Sequence, residues 1–178
     1  MENIKDKISK SFDALKGEFK YKNRMQAPRI QKVIISAGTG SNKDKKKNDV
    51  VVDRLTKIVT QKPVVKGAKQ SIAAFKVRQG DPVGVQVTLR GARMYDFLDR
   101  LIHIALPRTK DFRGLVTRGI DEMGNYTMGI RENTIFPECS DEDLKDVFGM
   151  AVTVVTNVKD PNETKIFLTY LGFPFKRV

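Results

Sequence analysis

The run from Pro82 to Arg90 constrains the fold more than any other part of the chain, because two kinds of residue alternate in it without a break. A period of two indicates a β-strand with one face packed against a core. The other face is small and polar, so it is either solvated or in contact with a polar partner. The apolar set is Val83, Val85, Val87 and Leu89, and the other set is Gly84, Gln86, Thr88 and Arg90.

Helices and further strands are predicted on both sides of this strand. Apolar residues spaced by three and four indicate helices over residues 3–19, from an N-cap at Asn48 to about 59, over 92–106, and from an N-cap at Asp160 to 172. Runs rich in β-branched residues indicate strands near 29–36, 64–65, 125–130 and 149–157, with an extended piece from Ile135 to Glu138. Ser140 to Asp143 has the form of a helix cap.

Strands separated by helices, with one strict alternation among them, favour an α+β fold. The residues alone therefore predict an α+β sandwich rather than a doubly wound sheet. At 178 residues the chain is long enough to bury its own core, so a single domain spanning 1–178 is expected.

The net charge is +12, and residues 1–81 carry the whole excess. Solubility needs far less charge, so a polyanionic partner is the natural interpretation. A basic but inert surface and a membrane surface are the alternatives. Only the first helix, with lysines opposite its apolar stripe, faintly resembles a membrane-surface helix. No segment approaches the roughly 18 apolar residues of a membrane span, which indicates a cytosolic protein.

No catalytic or metal-binding constellation is visible in the sequence. The single His103 and the single Cys139 leave neither a zinc ligand set nor an internal disulfide. The glycine pair Gly38 and Gly40 belongs neither to a dinucleotide-binding loop nor to a Walker loop. We therefore expect no enzyme activity, no catalytic residues, no metal and no cofactor.

Two basic segments are candidate contact surfaces. The first runs from Lys66 to Asp81, and loops of this length are commonly functional. We expect Phe75 to anchor this loop to the core, and the alternative is that Phe75 stacks on a nucleotide. The second runs from Arg108 to Gly119 and could touch RNA or a protein. The run from Lys43 to Lys47 is expected to be solvated and flexible.

Several separate runs, in one order, resemble a known family. In its bacterial form this is the family of 5S ribosomal RNA-binding proteins numbered five in the large ribosomal subunit, and the resemblance covers nearly the whole chain. The runs are Gln61-Lys-Pro63, Ser71-Ile-Ala73, Phe75-Lys76, Arg78-Gln-Gly80, Val87-Thr-Leu-Arg-Gly91, Arg93-Met-Tyr95, Ala105-Leu-Pro-Arg108, Asp111-Phe-Arg-Gly-Leu115, Gly124-Asn-Tyr126, Ile135-Phe-Pro-Glu138 and Gly172-Phe-Pro-Phe175.

The resemblance implies an antiparallel sheet covered on one face by helices, with the other face open to RNA and with long basic loops. It also implies a structural constituent of the large ribosomal subunit in the cytoplasm, with 5S ribosomal RNA and neighbouring large-subunit RNA in the central protuberance as partners. Family members more often have Asn where this chain has Ser36, and Ser has a shorter reach. By similarity, the residues that would bind ribosomal RNA are Ser36, Gln61, Lys62, Thr88, Arg90 and Arg93.

The resemblance also implies contacts beyond ribosomal RNA. Within the first basic segment, the stretch from about Lys69 to Gly80 looks like the loop that approaches the elbow of peptidyl-site tRNA. The region from Arg108 to Glu122, which includes the second basic segment, looks like the part that faces a small-subunit protein across an intersubunit bridge. The tRNA-contacting residues would be Lys69, Ser71, Phe75, Lys76, Arg78 and Gly80. The bridge residues would be Arg108, Lys110, Arg113 and Arg118.

Two rival functions are alternatives to a structural role. An RNA-modifying enzyme would need a cofactor loop or a poised acid–base pair, and the sequence offers neither. A free-standing RNA chaperone or translational regulator needs only the basic surface, and it stays open as the alternative.

Overall fold

The computed structural model describes residues 3–40, 45–139 and 147–176, and within these ranges it contains four α-helices and five strands. A π-helical segment, Leu101–Ala105, continues α3 directly. The helices are α1 Ile4–Phe19, α2 Lys45–Val59, α3 Ala92–Arg100 and α4 Pro161–Leu171. The strands are β1 Ile30–Gly38, β2 Val64–Gly67, β3 Pro82–Leu89, β4 Tyr126–Ile130 and β5 Met150–Thr156.

The strands form one antiparallel, open sheet in the order β2-β3-β1-β5-β4. Alternate residues of β3 are buried from Val85 to Leu89, and the residues between them are partly exposed. The same alternation holds in β4 and β5, since every second side chain of those strands is buried. The predicted alternation of β3 and the α+β class are therefore confirmed.

The described residues cluster into two compact units. The first comprises Met1–Val33, Leu89–Met128 and Thr153–Val178, and the second comprises Ile34–Thr88 and Gly129–Val152. The prediction of a single domain over 1–178 stays a prediction.

In the first unit, α1 packs against α3 and α4. The main-chain nitrogen of Ile4 donates to Asp99 Oδ1 at 3.0 Å, which satisfies a free N–H at the start of α1. Lys7 Nζ donates to Leu171 O at 3.1 Å, at the end of α4. Lys7 therefore ties two helices together, a contact that its place on the lysine face of the predicted helix did not indicate.

The ends of α4 follow the sequence signals closely. Asp160 Oδ1 accepts a hydrogen bond from Asn162 N at 3.0 Å, and Pro161 occupies the first turn. Gly172 ends the helix with φ of 106°, in the left-handed region where glycine is preferred.

In the second unit, the predicted N-cap at Asn48 is wrong, because α2 begins three residues earlier at Lys45. Asn48 precedes Val51 by about one turn and Leu55 by about two, so it lies on the apolar face of the helix and is only 6% exposed. Of the run from Lys43 to Lys47 that was expected to be flexible, residues 43 and 44 lie outside the described residues, and residues 45 to 47 instead form the first turn of α2.

The predicted extended piece from Ile135 to Glu138 is also wrong. Two 3₁₀ turns, Asn133–Ile135 and Pro137–Cys139, occupy this stretch. Asn133 exchanges two hydrogen bonds with Phe148, one from Asn133 N to Phe148 O at 3.1 Å and one from Phe148 N to Asn133 Oδ1 at 3.3 Å. These bonds fix the chain in a turn. The predicted cap at Ser140 lies outside the described residues.

Across the part of the chain that the structure describes, no helix is both long enough and apolar enough to cross a bilayer.

Candidate nucleic-acid interface

Two of the predicted RNA-binding residues lie on the open face of the sheet. Ser36 of β1 lies between the buried residues Ile35 and Ala37, and Thr88 of β3 lies between Val87 and Leu89. Because strand side chains alternate between faces, the hydroxyls of Ser36 and Thr88 project from the face that the core does not use. Both residues are partly exposed. Each hydroxyl can donate and accept hydrogen bonds at that surface.

The turn after α2 brings Gln61 to the end of β3. Thr60 adopts φ of 55° and its main-chain nitrogen donates to Thr56 O at 2.9 Å, which ends the helix in a left-handed turn. Gln61 Nε2 then donates to Thr88 O at 3.3 Å. Lys62 is exposed beside it, and Pro63 is buried. Gln61, Lys62 and Thr88 therefore form one polar and basic surface, although they come from separate parts of the sequence.

Arg90 and Arg93 belong to the first compact unit. Arg90 follows β3 directly, and Arg93 lies in the first turn of α3. Both are exposed, so both are accessible to a phosphate.

The first basic segment forms the tip of a hairpin between β2 and β3, with Val65 opposite Val85. Beyond the strands, Ala68 N donates to Asp81 O at 2.8 Å and Gly80 N donates to Ala68 O at 3.0 Å. Gly80 adopts φ of 90°, a conformation that side chains disfavour. The segment is thus closed by its own main-chain hydrogen bonds.

The end of this hairpin is a tight turn. Ile72 and Val77 exchange two main-chain hydrogen bonds, at 2.9 and 3.3 Å, around the 3₁₀ turn Ala73–Phe75. Lys76 adopts φ of 53°. The Phe75 ring is 76% exposed, so the interpretation of Phe75 as an anchor to the core is wrong. The local hydrogen bonds hold the turn without a core anchor, and the ring is left at the surface.

Two side chains of the hairpin accept hydrogen bonds from its main chain. Ser71 Oγ accepts a hydrogen bond from Gln79 N at 2.9 Å, and Asp81 Oδ2 accepts one from Arg78 N at 2.7 Å. The cations, in contrast, project outward, since Lys69, Lys76 and Arg78 are all exposed. The predicted contact residues therefore divide into those that shape the hairpin and those that present positive charge.

The second basic segment is held at its middle by the C-terminal tail. Leu115 N donates to Pro174 O at 2.7 Å, and Lys176 N donates to Leu115 O at 2.9 Å. Tyr126 packs edge-on against Phe175, with ring centroids 5.2 Å apart. The four predicted bridge cations, Arg108, Lys110, Arg113 and Arg118, are at least partly exposed.

Within the described ranges, no three His, Cys, Asp or Glu residues lie close enough together to hold a metal ion. His103 Nδ1 lies 3.0 Å from Asp99 O, one turn earlier in the same helical stretch. The imidazole is thus oriented by its own helix.

One polar pocket of about 470 Å³ is lined by none of the predicted RNA, tRNA or bridge contact residues. It lies between the end of α1 and the connection from β5 to α4, with Lys20, Tyr21, Lys22 and Lys159 in its wall. In the sequence, only the positive charge of the N-terminal third indicates this pocket. Lys159 joins the other lysines only through tertiary structure.

Two family models match the chain. The model "Ribosomal protein L5" matches residues 23–78, and the model of the C-terminus of the same ribosomal protein family matches residues 82–175. The large ribosomal subunit protein uL5 of Thermoanaerobacter sp. (strain X514) is 46% identical over 179 residues, which cover 99% of this chain and 100% of that protein. The large ribosomal subunit protein uL5 of Flavobacterium johnsoniae is 48% identical over 170 residues, which cover 95% of this chain and 93% of that protein. The chain therefore belongs to the ribosomal protein L5 family.

Proposed function

We propose that the chain binds 5S ribosomal RNA through the open face of its sheet, contacts peptidyl-site tRNA through the β2–β3 hairpin, and joins an intersubunit bridge through its second basic segment. The proposal of 5S ribosomal RNA binding rests on the hydrogen bond from Gln61 to the end of β3, because this bond brings Gln61, Lys62 and Thr88 to one surface. The family itself supplies the coarser function. Its members are structural, non-enzymatic proteins of the large ribosomal subunit in the cytoplasm, and ribosomal RNA is their partner.

The chemistry of the open face suits RNA. The hydroxyls of Ser36 and Thr88 can pair with ribose 2′-hydroxyls or phosphate oxygens, which the shallow groove of an RNA helix exposes. The exposed Lys62 of the same compact unit adds attraction for the RNA backbone. Arg90 and Arg93 are exposed in the other unit and are proposed, independently, to contact phosphate. Such an interface recognises RNA by shape and backbone, with hydroxyl and amide groups fixing its register.

The hairpin suits a tRNA that is bound and released in each cycle. Its exposed cations Lys69, Lys76 and Arg78 can contact phosphates without reading base identity. Its own hydrogen bonds, including that from Arg78 N to Asp81, fix the tip before binding. Little conformational entropy is then lost on contact.

The second basic segment suits a protein partner as well as RNA. Arginines are enriched in protein interfaces, and Arg113 and Arg118 flank Val116, which is 60% exposed. The anchoring of Leu115 to the C-terminal tail gives this segment a defined position within its unit.

The test of the main proposal is a filter-binding titration of the full chain against 5S ribosomal RNA. A duplex RNA of equal length serves as competitor, and the series is repeated at several salt concentrations. Thr88→Val removes one hydroxyl from the open face at nearly constant volume. Thr169→Val removes an exposed hydroxyl from α4 and is the matched control.

Binding of 5S ribosomal RNA should survive the competitor. With about six to ten phosphate contacts, the affinity should fall by roughly three to five decades between 50 and 200 mM salt. Thr88→Val should weaken binding about fivefold, and Thr169→Val should leave it unchanged. Equal affinity for 5S ribosomal RNA and the duplex would overturn the 5S assignment and favour the alternative of a free-standing RNA chaperone or translational regulator.

A further inference from the structure

The polar pocket at the end of α1 belongs to none of the surfaces on which the proposed function rests. Its volume of about 470 Å³ is that of a small-molecule site, for which roughly 300–1,000 Å³ is usual. One wall is the stretch from Phe19 to Lys22, and the other is formed by Lys159 and Glu163 at the start of α4. All of these residues lie in the first compact unit.

The turn at the end of α1 sets an aromatic pair into this pocket. Lys20 adopts φ of 53°, and its main-chain nitrogen donates to Lys16 O at 2.9 Å. The turn places the rings of Phe19 and Tyr21 in a stack, with centroids 5.8 Å apart and 28° between their planes. Both rings are partly exposed, so the stack has an accessible outer face.

The Tyr21 hydroxyl fixes the aromatic pair from the other wall, because it donates a hydrogen bond to Glu163 Oε1. Burial and the adjacent Glu163 carboxylate raise the pKa of Tyr21 above its ordinary value, so the phenol stays neutral and remains a donor. The carboxylate is thereby engaged with a protein donor. Two further acids lie near the pocket along the chain: Glu18, which directly precedes Phe19 and also acts to raise the pKa of Tyr21, and Asp160, which is the N-cap of α4.

Positive charge dominates the rim of the pocket. Lys20, Lys22 and Lys159 are exposed and line it, against the single acid Glu163. A pocket with a flat aromatic wall and a cationic rim matches the two parts of a nucleotide, since bases stack on aromatic rings and phosphates pair with lysines. An acidic peptide would use the lysines but would leave the ring face unused.

We propose that this pocket binds one unstacked nucleotide of RNA, with its base on the Phe19–Tyr21 pair and its phosphate among Lys20, Lys22 and Lys159. Stacking is tolerant of base identity, so the site holds an RNA strand without reading its sequence. The site shares no residue with the predicted 5S ribosomal RNA-binding set, and it does not depend on recognition of 5S ribosomal RNA.

The test uses the full chain and a fluorescent single-stranded RNA hexamer of mixed sequence, followed by anisotropy. Tyr21→Leu removes the ring without a change of charge and should weaken binding about tenfold. Tyr21→Phe keeps the ring and loses only the hydroxyl, so its affinity should stay within about twofold of the parent. Tyr170→Leu makes the same exchange at a partly exposed tyrosine of α4 outside the pocket, and it should have no effect.

A second arm tests the charged rim. The double variant Lys22→Ala with Lys159→Ala removes two charges at the pocket, and Lys5→Ala with Lys165→Ala removes two exposed charges elsewhere in the same unit. The pocket pair should reduce the dependence of log affinity on log salt by about one to two, and the control pair should change it less. Thermal melting of each variant verifies that it is folded.

Equal losses for Tyr21→Leu and Tyr170→Leu, or equal losses for the two lysine pairs, would overturn the proposal. Stronger competition by a glutamate hexapeptide than by an unlabelled RNA hexamer would overturn it in favour of a protein partner. The hexamer carries no 5S structure, so failure of the 5S assignment leaves these readouts unchanged.

Discussion

Gln61 Nε2 donates a hydrogen bond to the main-chain oxygen of Thr88 at 3.3 Å, and this contact joins the turn after α2 to the end of β3. The bond orients a side-chain amide at the sheet surface where Lys62 is exposed. A polar contact surface is thereby built by two segments 27 residues apart in the chain.

Replacement of Gln61 by Ala should weaken the binding of 5S ribosomal RNA about fivefold to tenfold, because both the amide and the side chain that orients the surface are lost. The free energy of unfolding should fall by about 1 kcal/mol. Filter binding and urea denaturation measure the two effects. Gln79→Ala, at an exposed glutamine of the hairpin, is the control and should change neither. Unchanged 5S affinity in Gln61→Ala would remove Gln61 from the interface.

The hairpin tip should be dispensable for stability. Phe75→Ala should change the free energy of unfolding by less than about 0.5 kcal/mol, because the ring is 76% exposed. The matched core variant Phe97→Ala removes a ring that is 0% exposed and should cost about 3–5 kcal/mol. Urea denaturation measures both. A large cost for Phe75→Ala would mean that the ring is anchored after all.

The same tip should matter for tRNA. Lys76→Ala with Arg78→Ala removes two exposed cations and should weaken protection of peptidyl-site tRNA by ribosomes that carry the variant, because two phosphate contacts are lost. Chemical footprinting of the tRNA is the measurement. Binding of purified protein to 5S ribosomal RNA at fixed salt is the control. A larger loss of 5S affinity than of tRNA protection would contradict the assignment of the hairpin to tRNA.

Local signals in the sequence predicted the parts of the fold that local physics decides. The strict alternation in β3 required one buried face, and Asp160, Pro161 and Gly172 marked both ends of α4. The main-chain hydrogen bonds between distant residues were not predictable in this way. Asn133 pairs with Phe148, so the stretch that follows turns where its composition favoured an extended chain.

The candidate site likewise has features that the sequence predicts and features that depend on the folded structure. The charge pattern and the family resemblance selected Lys62, Lys76 and Arg78 as contact residues, which stays a prediction. All three are exposed, as lysines and arginines usually are. The exposure of Phe75 depended on the hydrogen bonds of its turn, which no apolar pattern reveals. The pocket beside Tyr21 was not found either, because Lys159 approaches it only in the folded chain.

Asp121 should give the protein a stability that depends on pH. Burial acts to raise its pKa, but hydrogen bonds from Asn125 Nδ2 at 2.9 Å, Asn125 N at 2.6 Å and Met123 N at 3.0 Å together lower the pKa below its ordinary value. A lowered pKa in the folded state means that the unfolded chain binds the proton more readily. The stabilisation is therefore present above about pH 4, the unfolded value, and is lost as pH falls through the lower folded value.

The Asp121→Asn variant removes this titration. In thermal melting from pH 3 to 7, the melting midpoint of Asp121→Asn should be lower than that of the parent at pH 7. The difference between the two midpoints should be smaller at pH 3. Asp13→Asn, at an exposed position of α1, is the control. A gap that is constant across the range would show that the carboxylate charge of Asp121 contributes nothing.

Gly124 is the glycine at which a side chain should be least tolerated. Its φ is 74°, and an added Cβ would collide with Val158 O and approach Thr164 Oγ1 to 2.8 Å. Its carbonyl oxygen also accepts hydrogen bonds from Thr156 Oγ1 at 2.8 Å and Thr164 Oγ1 at 3.1 Å, so the backbone cannot shift without breaking them. Gly124→Ala should therefore lower the free energy of unfolding by about 3 kcal/mol or more.

The matched variant is Gly17→Ala, which makes the same substitution inside α1. An added Cβ there meets nothing within 4 Å, and alanine favours the helix over glycine. Gly17→Ala should therefore raise the free energy of unfolding by about 0.5–1 kcal/mol. Urea denaturation of each variant measures its change in the free energy of unfolding relative to the parent. The two changes should have opposite signs. A cost at Gly124 no larger than the change at Gly17 would mean that the turn before β4 relaxes, and that its hydrogen bonds to Thr156 and Thr164 do not hold it.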